Sequence, residues 1–150
     1  MTAGEDGFRI VPYQPEHLRA LALQEQQSGL AAFITRDGYA EKVAVAGPAW
    51  TALDEAMPIA CAGFQMPWPG RAIAWAVLSL HAGRRMLAVT RAVTRALDAA
   101  AAERIEAHVL VGFDAGLRWA AALGFKREVL LRKFYRGEDY WSFVLLKNTL

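Results

Sequence analysis

The sequence predicts an α/β domain in which a mixed central β-sheet carries helices on both faces. Three observations predict it. Short apolar runs alternate with segments of helical period along the chain, and the run Ala72–Ser79 is apolar on both of its faces, which is typical of a central strand covered twice. A helical segment joins this run to the alternating run Arg104–Val111, so these two strands should be parallel. The predicted order is β-α-α-β-β-β-α-β-α-β-β in a single domain over residues 1–150.

The first part of the chain predicts a strand followed by two helices. Phe8–Tyr13 is the strand, and Pro15 begins a helical pattern with the apolar stripe Leu18, Leu21 and Ala22. The run Gly29–Arg36 fits no element clearly. Asp37 is then expected to cap a short helix over residues 39–46, which Gly47 and Pro48 close.

Three strands in meander order are expected next. Trp50–Leu53 and Ile59–Met66 flank the turn at residues 54–58, and a second turn at residues 67–70 leads into Ala72–Ser79. The helix after them has an apolar stripe at spacings of three and four, formed by Met86, Val89, Val93, Leu97 and Ala100.

The end of the chain predicts a strand, a helix and a closing hairpin. In Arg104–Val111, Glu106 and His108 point outward and the apolar positions point inward. Asp114 is expected to cap the helix that ends at Gly124. Lys126–Arg136 and Tyr140–Lys147 then form the closing hairpin.

Composition and charge exclude several classes of protein. With 55% hydrophobic and 21% charged residues the chain is neither disordered nor fibrous, and its longest uncharged core run, residues 72–83, is too short to span a membrane. The acidic N-terminus does not resemble an export signal, and Cys61, the lone cysteine, fits a reducing compartment such as the host cytoplasm. Residues 1–70 carry four basic and eight acidic groups, and residues 71–150 carry thirteen and seven, so an anionic ligand or a solvated basic face is expected in the second part.

Five stretches carry a resemblance to known proteins. They are ACAGF at 60–64, AWAVLS at 74–79, HAGRRMLAVTRAVTRALD at 81–98, RIEA at 104–107 and GLRWAAALGF at 116–125. With the element order and the basic turn after Ala72–Ser79, the chain resembles the GNAT acyltransferase superfamily over nearly its whole length. More narrowly, it resembles small acetyltransferase-like proteins encoded by tailed phages.

The resemblance implies acetyl-CoA as the cofactor of an active member, and it places the cofactor at five residues: Leu78, Ser79, Gly83, Arg84 and Arg85. Two family motifs depart from their pattern here. With Gly83 as the first glycine of Gln/Arg-x-x-Gly-x-Gly/Ala, the other two positions hold Leu80 and Arg85. The asparagine and the general-acid tyrosine of the helix before Gly-Phe are replaced by Phe113 and Ala120.

The arginines and the polar strand face leave alternatives open. Arg84 and Arg85 stand where the helix dipole is positive, so either an anion binds them or both extend into water. Glu106 and His108 are candidates for a general base, and a solvated or helix-covered polar pair is the competing interpretation. No metal-ligand spacing occurs, and a net charge of +2 argues against nucleic acid as a partner despite the aromatic residues.

Two functions therefore remain. The departures favour a protein that keeps the fold without the catalysis and serves as a structural or interaction component of a phage particle, where it binds copies of itself or other phage structural proteins. The alternative is an active N-acetyltransferase that uses acetyl-CoA on an amine. The first would be found in the virion as well as in the host cell.

Overall fold

The computed structural model describes residues 2–3, 7–21 and 38–147. The strands are β1 (Thr2–Ala3), β2 (Phe8–Pro12), β3 (Ala49–Asp54), β4 (Met57–Trp68), β5 (Arg71–Leu78), β6 (Arg104–Leu110), β7 (Lys126–Tyr135) and β8 (Glu138–Leu146). The α-helices are α1 (Pro15–Arg19), α2 (Tyr39–Val45), α3 (Met86–Ala99) and α4 (Asp114–Ala122), and a 3₁₀ turn over Gly83–Arg85 precedes α3. The predicted positions of Ala22, residues 29–36 and Asp37 lie outside the described residues.

The predicted mixed sheet is confirmed. Its strands follow the hydrogen-bonded order β1-β2-β3-β4-β5-β6-β8-β7. The pairing of β5 with β6 is parallel, as the helical crossover predicts, and it aligns Arg71 with Arg104 and Ile73 with Glu106. The strand β1 was not expected from the sequence.

The chain divides into two compact units. The first contains Met1–Gln65 and Ala76–Asp98, and the second contains Met66–Trp75 and Ala99–Leu150. The single domain predicted over residues 1–150 stays a prediction.

In the first unit, the β3–β4 hairpin is tighter than predicted. Its turn is reduced to Glu55 and Ala56, which both have positive φ angles, of 50° and 69°. Two residues in this conformation match the right-handed twist of the flanking strands, so β4 begins at Met57, before Pro58. The buried side chains of this unit include Leu18, Val43, Ile59, Cys61, Val89 and Leu97.

In the second unit, the carbonyl oxygen of Gly70 ties the start of β5 to the start of β6. It accepts hydrogen bonds from the backbone N–H groups of Glu103 and Arg104, both at 3.0 Å. Gly70 has a φ angle of 92°, which glycine adopts at little cost. Because β4 extends to Trp68, the turn contains only residues 69 and 70 of the predicted turn at residues 67–70.

Helix α4 begins one residue earlier than a cap at Asp114 would place it. Phe113 holds the N-cap position and forms no side-chain cap, while Asp114 is the first helical residue. The helix lies against one face of β6, since a Cβ atom at Gly116 would come within 3.1 Å of Val109. Asp114 remains in the first helical turn, where the helix dipole favours a negative charge.

Candidate functional site

The turn after β5 is built by Ser79. Its backbone N–H donates to the carbonyl oxygen of Ile59 at 2.8 Å, and its Oγ accepts the N–H of His81 at 3.0 Å. Its carbonyl oxygen accepts the N–H of Ala82 at 3.2 Å. Ser79 is 1% exposed and Leu78, the last residue of β5, is 9% exposed, so these two of the five predicted cofactor residues are buried.

The first residues after this turn present an open surface. Gly83 and Arg84 are exposed, and a Cβ atom at Gly83 would meet no atom within 4 Å. Within the described residues, the backbone N–H groups of Gly83 and Arg84 form no hydrogen bond, whereas that of Arg85 donates to Ala82 at 2.8 Å. Two unpaired N–H groups at the start of a helix can bind an anion.

The arginine pair contacts a carboxylate of the protein itself. Arg85 donates from Nε and from one terminal guanidinium nitrogen to Oδ1 of Asp54, at 3.1 and 2.8 Å. The Arg84 Nε lies 3.6 Å from the other oxygen, Oδ2. The Arg85 side chain is only 13% exposed, so the interpretation that both arginines extend into water is wrong for Arg85. Hydrogen bonding by Arg85 lowers the pKa of Asp54.

Glu106 shares a face of β6 with His108, as the alternation predicts, but it is not solvated. It is 7% exposed, and its oxygens accept hydrogen bonds from Arg71 at 2.7 and 2.8 Å and from Arg104 at 2.8 Å. Arg104 also binds Glu128. Hydrogen bonding from Arg71, with a further contribution from Arg104, lowers the pKa of Glu106 to about 2. A carboxylate with so low a pKa is a weak proton acceptor at neutral pH.

His108 lies beside Glu106 on the same face of β6. Its Nε2 is 3.8 Å from a Glu106 carboxylate oxygen, and its ring packs edge-on against Phe134 with a centroid distance of 4.9 Å. Burial lowers the pKa of His108, and the Glu106 charge offsets part of this effect. The imidazole is therefore neutral at pH 7 and able to accept a proton, and its side chain remains 22% exposed.

The two family positions on α4 hold residues without acid or amide chemistry. The Phe113 ring fills the space beside Gly116, where an added Cβ would lie 2.7 Å from it. Ala120 is 5% exposed and offers only a methyl group. Trp119, next to it, carries an indole N–H, which donates hydrogen bonds but does not release a proton.

Sequence reasoning brought Glu106 and His108 to one face and missed their neighbours. Arg104 is only the first residue of its predicted strand, Asp54 is only part of a predicted turn, and the sequence assigns no role to Arg71. The spacing of Arg104 and Glu106 on an alternating strand was the available signal, because residues two apart share a face.

No cluster of three or more His, Cys, Asp or Glu residues in residues 2–3, 7–21 and 38–147 could hold a metal ion. In the same part of the chain, no helix is both long enough and apolar enough to cross a membrane.

The chain was compared with known proteins. No family model matches the sequence, and no curated protein matches it. Among solved structures, the ribosomal-protein-S5-alanine acetyltransferase from Vibrio fischeri superposes with a TM-score of 0.71 at 14% identity, over 99% of this chain and 98% of that one. The ribosomal-protein-S18-alanine N-acetyltransferase from Escherichia coli gives 0.70 at 14% identity, over 93% of both chains. An acetyltransferase of the GNAT family from Bacillus anthracis gives 0.65 at 11% identity, over 93% of this chain and 95% of that one.

The chain has the GNAT fold. At these identities the likeness concerns the fold and says nothing of activity. The segment formed by β5, the turn at Gly83 and α3 is the one for which the sequence predicts pyrophosphate binding. The assignment of Leu78, Ser79, Gly83, Arg84 and Arg85 to a cofactor, and of Glu106 and His108 to catalysis, stays a prediction, as does the likeness to phage-encoded proteins.

Proposed function

We propose that this protein uses the GNAT fold as a binding or structural component rather than as an acetyltransferase. The observation that carries the proposal is the buried methyl group of Ala120, at the position where the family places its general-acid tyrosine. A departing thiolate would find no proton donor there. Phe113, at the asparagine position, lacks the side-chain amide of the family's asparagine.

The turn at Gly83 supports the same proposal. Small residues let phosphates approach the backbone, and this turn carries Arg85 where the family has a glycine or alanine. The Arg85 guanidinium is already paired with Asp54 at 2.8 Å, so part of its charge is compensated without a ligand.

For the assembly, we propose a phage particle. The support is the sequence likeness of residues 60–64, 74–79, 81–98, 104–107 and 116–125 to phage-encoded acetyltransferase-like proteins. Its partners would be copies of itself or other structural proteins of the particle. The protein would then occur in the host cell during assembly and in the finished virion.

An active N-acetyltransferase is the second candidate, and His108 is the observation that favours it. His108 is a neutral, half-buried imidazole that can accept the proton an amine loses as it attacks a carbonyl carbon. Acetyl-CoA would supply the thioester, and the free N–H groups of Gly83 and Arg84 fit its pyrophosphate in part. Glu106 is the weaker of the two base candidates, because two arginines hold it charged.

One assay separates the candidates. The purified protein is mixed with acetyl-CoA and an amine, either spermidine or a peptide with an N-terminal alanine, and release of the free thiol is followed. We expect no turnover above the rate without protein. Turnover that is lost in His108→Ala and kept in His81→Ala, a change at an exposed histidine of the turn, would establish the enzyme instead.

A second measurement addresses the particle. Mass spectrometry of purified virions of the phage that encodes the chain should find it at a fixed stoichiometry. Absence of the chain from virions, combined with turnover in the assay, would overturn the structural role.

A further inference from the structure

The carboxylate of Asp54 is a buried charged group of the first unit. Asp54 is the last residue of β3 and is 8% exposed. It pairs with Phe8 across the β2–β3 ladder and is followed by the tight turn at Glu55 and Ala56. Its position is therefore fixed by two strands rather than by a mobile loop.

The geometry of the Asp54 contacts matches the way guanidinium groups bind oxyanions. Oδ1 accepts two hydrogen bonds from Arg85, and Oδ2 faces the Arg84 Nε at 3.6 Å. A phosphate group would offer the same guanidinium groups the same kind of paired oxygens. A phosphate and the Asp54 carboxylate would therefore compete for Arg84 and Arg85.

The Arg85 side chain is also held in place from its other side. Its guanidinium carbon lies 6.0 Å from the centre of the Phe8 ring, and the side chain is 13% exposed. An external anion loses translational entropy when it binds. The Asp54 carboxylate belongs to the chain and is already oriented, so it contacts the arginine without that loss.

We propose that Asp54 is an internal counter-ion that occupies the arginine pair at the start of α3 and so excludes phosphate groups from the Gly83 turn. Asp54 is thus the residue that decides whether this turn binds a pyrophosphate. This inference rests on the proposed function, since it explains why the Gly83 turn, which the resemblance assigns to the cofactor, would bind none.

The test compares Asp54→Asn with the wild-type protein, with inorganic pyrophosphate and coenzyme A as probes. Binding is measured by calorimetry and by the backbone amide NMR signals of Gly83 and Arg84. We expect Asp54→Asn to bind pyrophosphate at least about tenfold more tightly than the wild type. The gain should disappear in Asp54→Asn combined with Arg84→Gln and Arg85→Gln.

The matched control is Glu55→Gln, which removes one negative charge from the adjacent residue without changing the carboxylate that contacts the arginines. It should leave binding as in the wild type. Equal gains in Asp54→Asn and Glu55→Gln would reduce the effect to net charge and overturn the proposal.

If Asp54→Asn does not fold, the wild-type protein alone still decides the matter. Pyrophosphate should then leave the Gly83 and Arg84 amide signals unshifted, and a saturable shift would overturn the inference. The proposed function is judged separately, by acetyl transfer. Equal pyrophosphate binding by the two proteins without acetyl transfer refutes the inference alone, whereas acetyl transfer by the wild type refutes the proposed function whatever the binding shows.

Discussion

At the scale of single residues, Glu106 is a carboxylate buried in the second unit. The carboxylate receives hydrogen bonds from two arginines, and Arg104 connects it to Glu128. A buried carboxylate is tolerated when its charge is compensated in this way. Glu106 therefore acts as the centre of an ion-pair network on β6, and His108 beside it has the better pKa for proton transfer.

The network predicts how stability depends on pH. The pKa of Glu106 is about 2 in the folded protein and about 4.5 ordinarily, so its charge stabilises the fold above pH 4.5 and the stabilisation is lost as the pH falls towards 2. We expect Glu106→Gln to lower the free energy of unfolding by about 1–3 kcal/mol near pH 7 and by much less near pH 2. Urea unfolding at the two pH values measures this.

Glu128→Gln is the control for that experiment. Glu128 contacts Arg104 but is exposed, so its replacement should cost less than that of Glu106. If Glu106→Gln lowers the free energy of unfolding by the same amount near pH 7 and near pH 2, the charge of Glu106 does not stabilise the fold.

At the scale of elements, the order of strands and helices could be predicted because each has its own period. The sequence predicted where the two hairpin turns lie but not how few residues they contain. Glu55, Ala56 and Arg136 adopt positive φ angles although none is glycine. Such residues gain their conformation from the pairing of the flanking strands, which a local pattern does not contain. The burial of Glu106 was missed for a similar reason, since one of its partners, Arg71, comes from another strand.

Two glycines of similar sequence context should respond in opposite ways to alanine. A Cβ atom at Gly63 would lie 2.6 Å from the Pro48 carbonyl oxygen and 2.7 Å from the Ala49 Cβ, whereas one at Gly83 would meet nothing within 4 Å. We expect Gly63→Ala to destabilise the protein by about 1–3 kcal/mol, because β3 must move away. Gly83→Ala should be neutral or stabilising by up to about 1 kcal/mol. Thermal unfolding compares them, and equal shifts in Tm would contradict the packing described for Gly63.

At the scale of the whole molecule, β7 forms an edge of the sheet in the described part of the chain. Residues 126–136 contain five basic residues and one acidic residue, and most of them are exposed. Val129 is 47% exposed and Phe134 is 48% exposed, so the strand also presents apolar side chains. Charges on an edge strand hinder pairing with a second copy.

Removal of these charges should promote self-association. We expect the double variant Lys126→Gln with Arg132→Gln to form dimers or larger species at a concentration where the wild type is monomeric, as measured by sedimentation velocity. The control is Arg91→Gln with Arg95→Gln, which removes the same charge from exposed positions of α3. Equal association of both double variants would trace the effect to net charge and not to the edge.

The Gly70 carbonyl has a consequence for how the protein folds. Its two hydrogen bonds join the ends of a crossover that contains the whole of α3, so they form only after that long loop has closed. They also fix the alignment of β6 against β5. A slip of one residue would turn Glu106 and Arg104 together towards the face that α4 covers, away from Arg71, so misregistered folding intermediates would lose the Arg71–Glu106 ion pair and be short-lived.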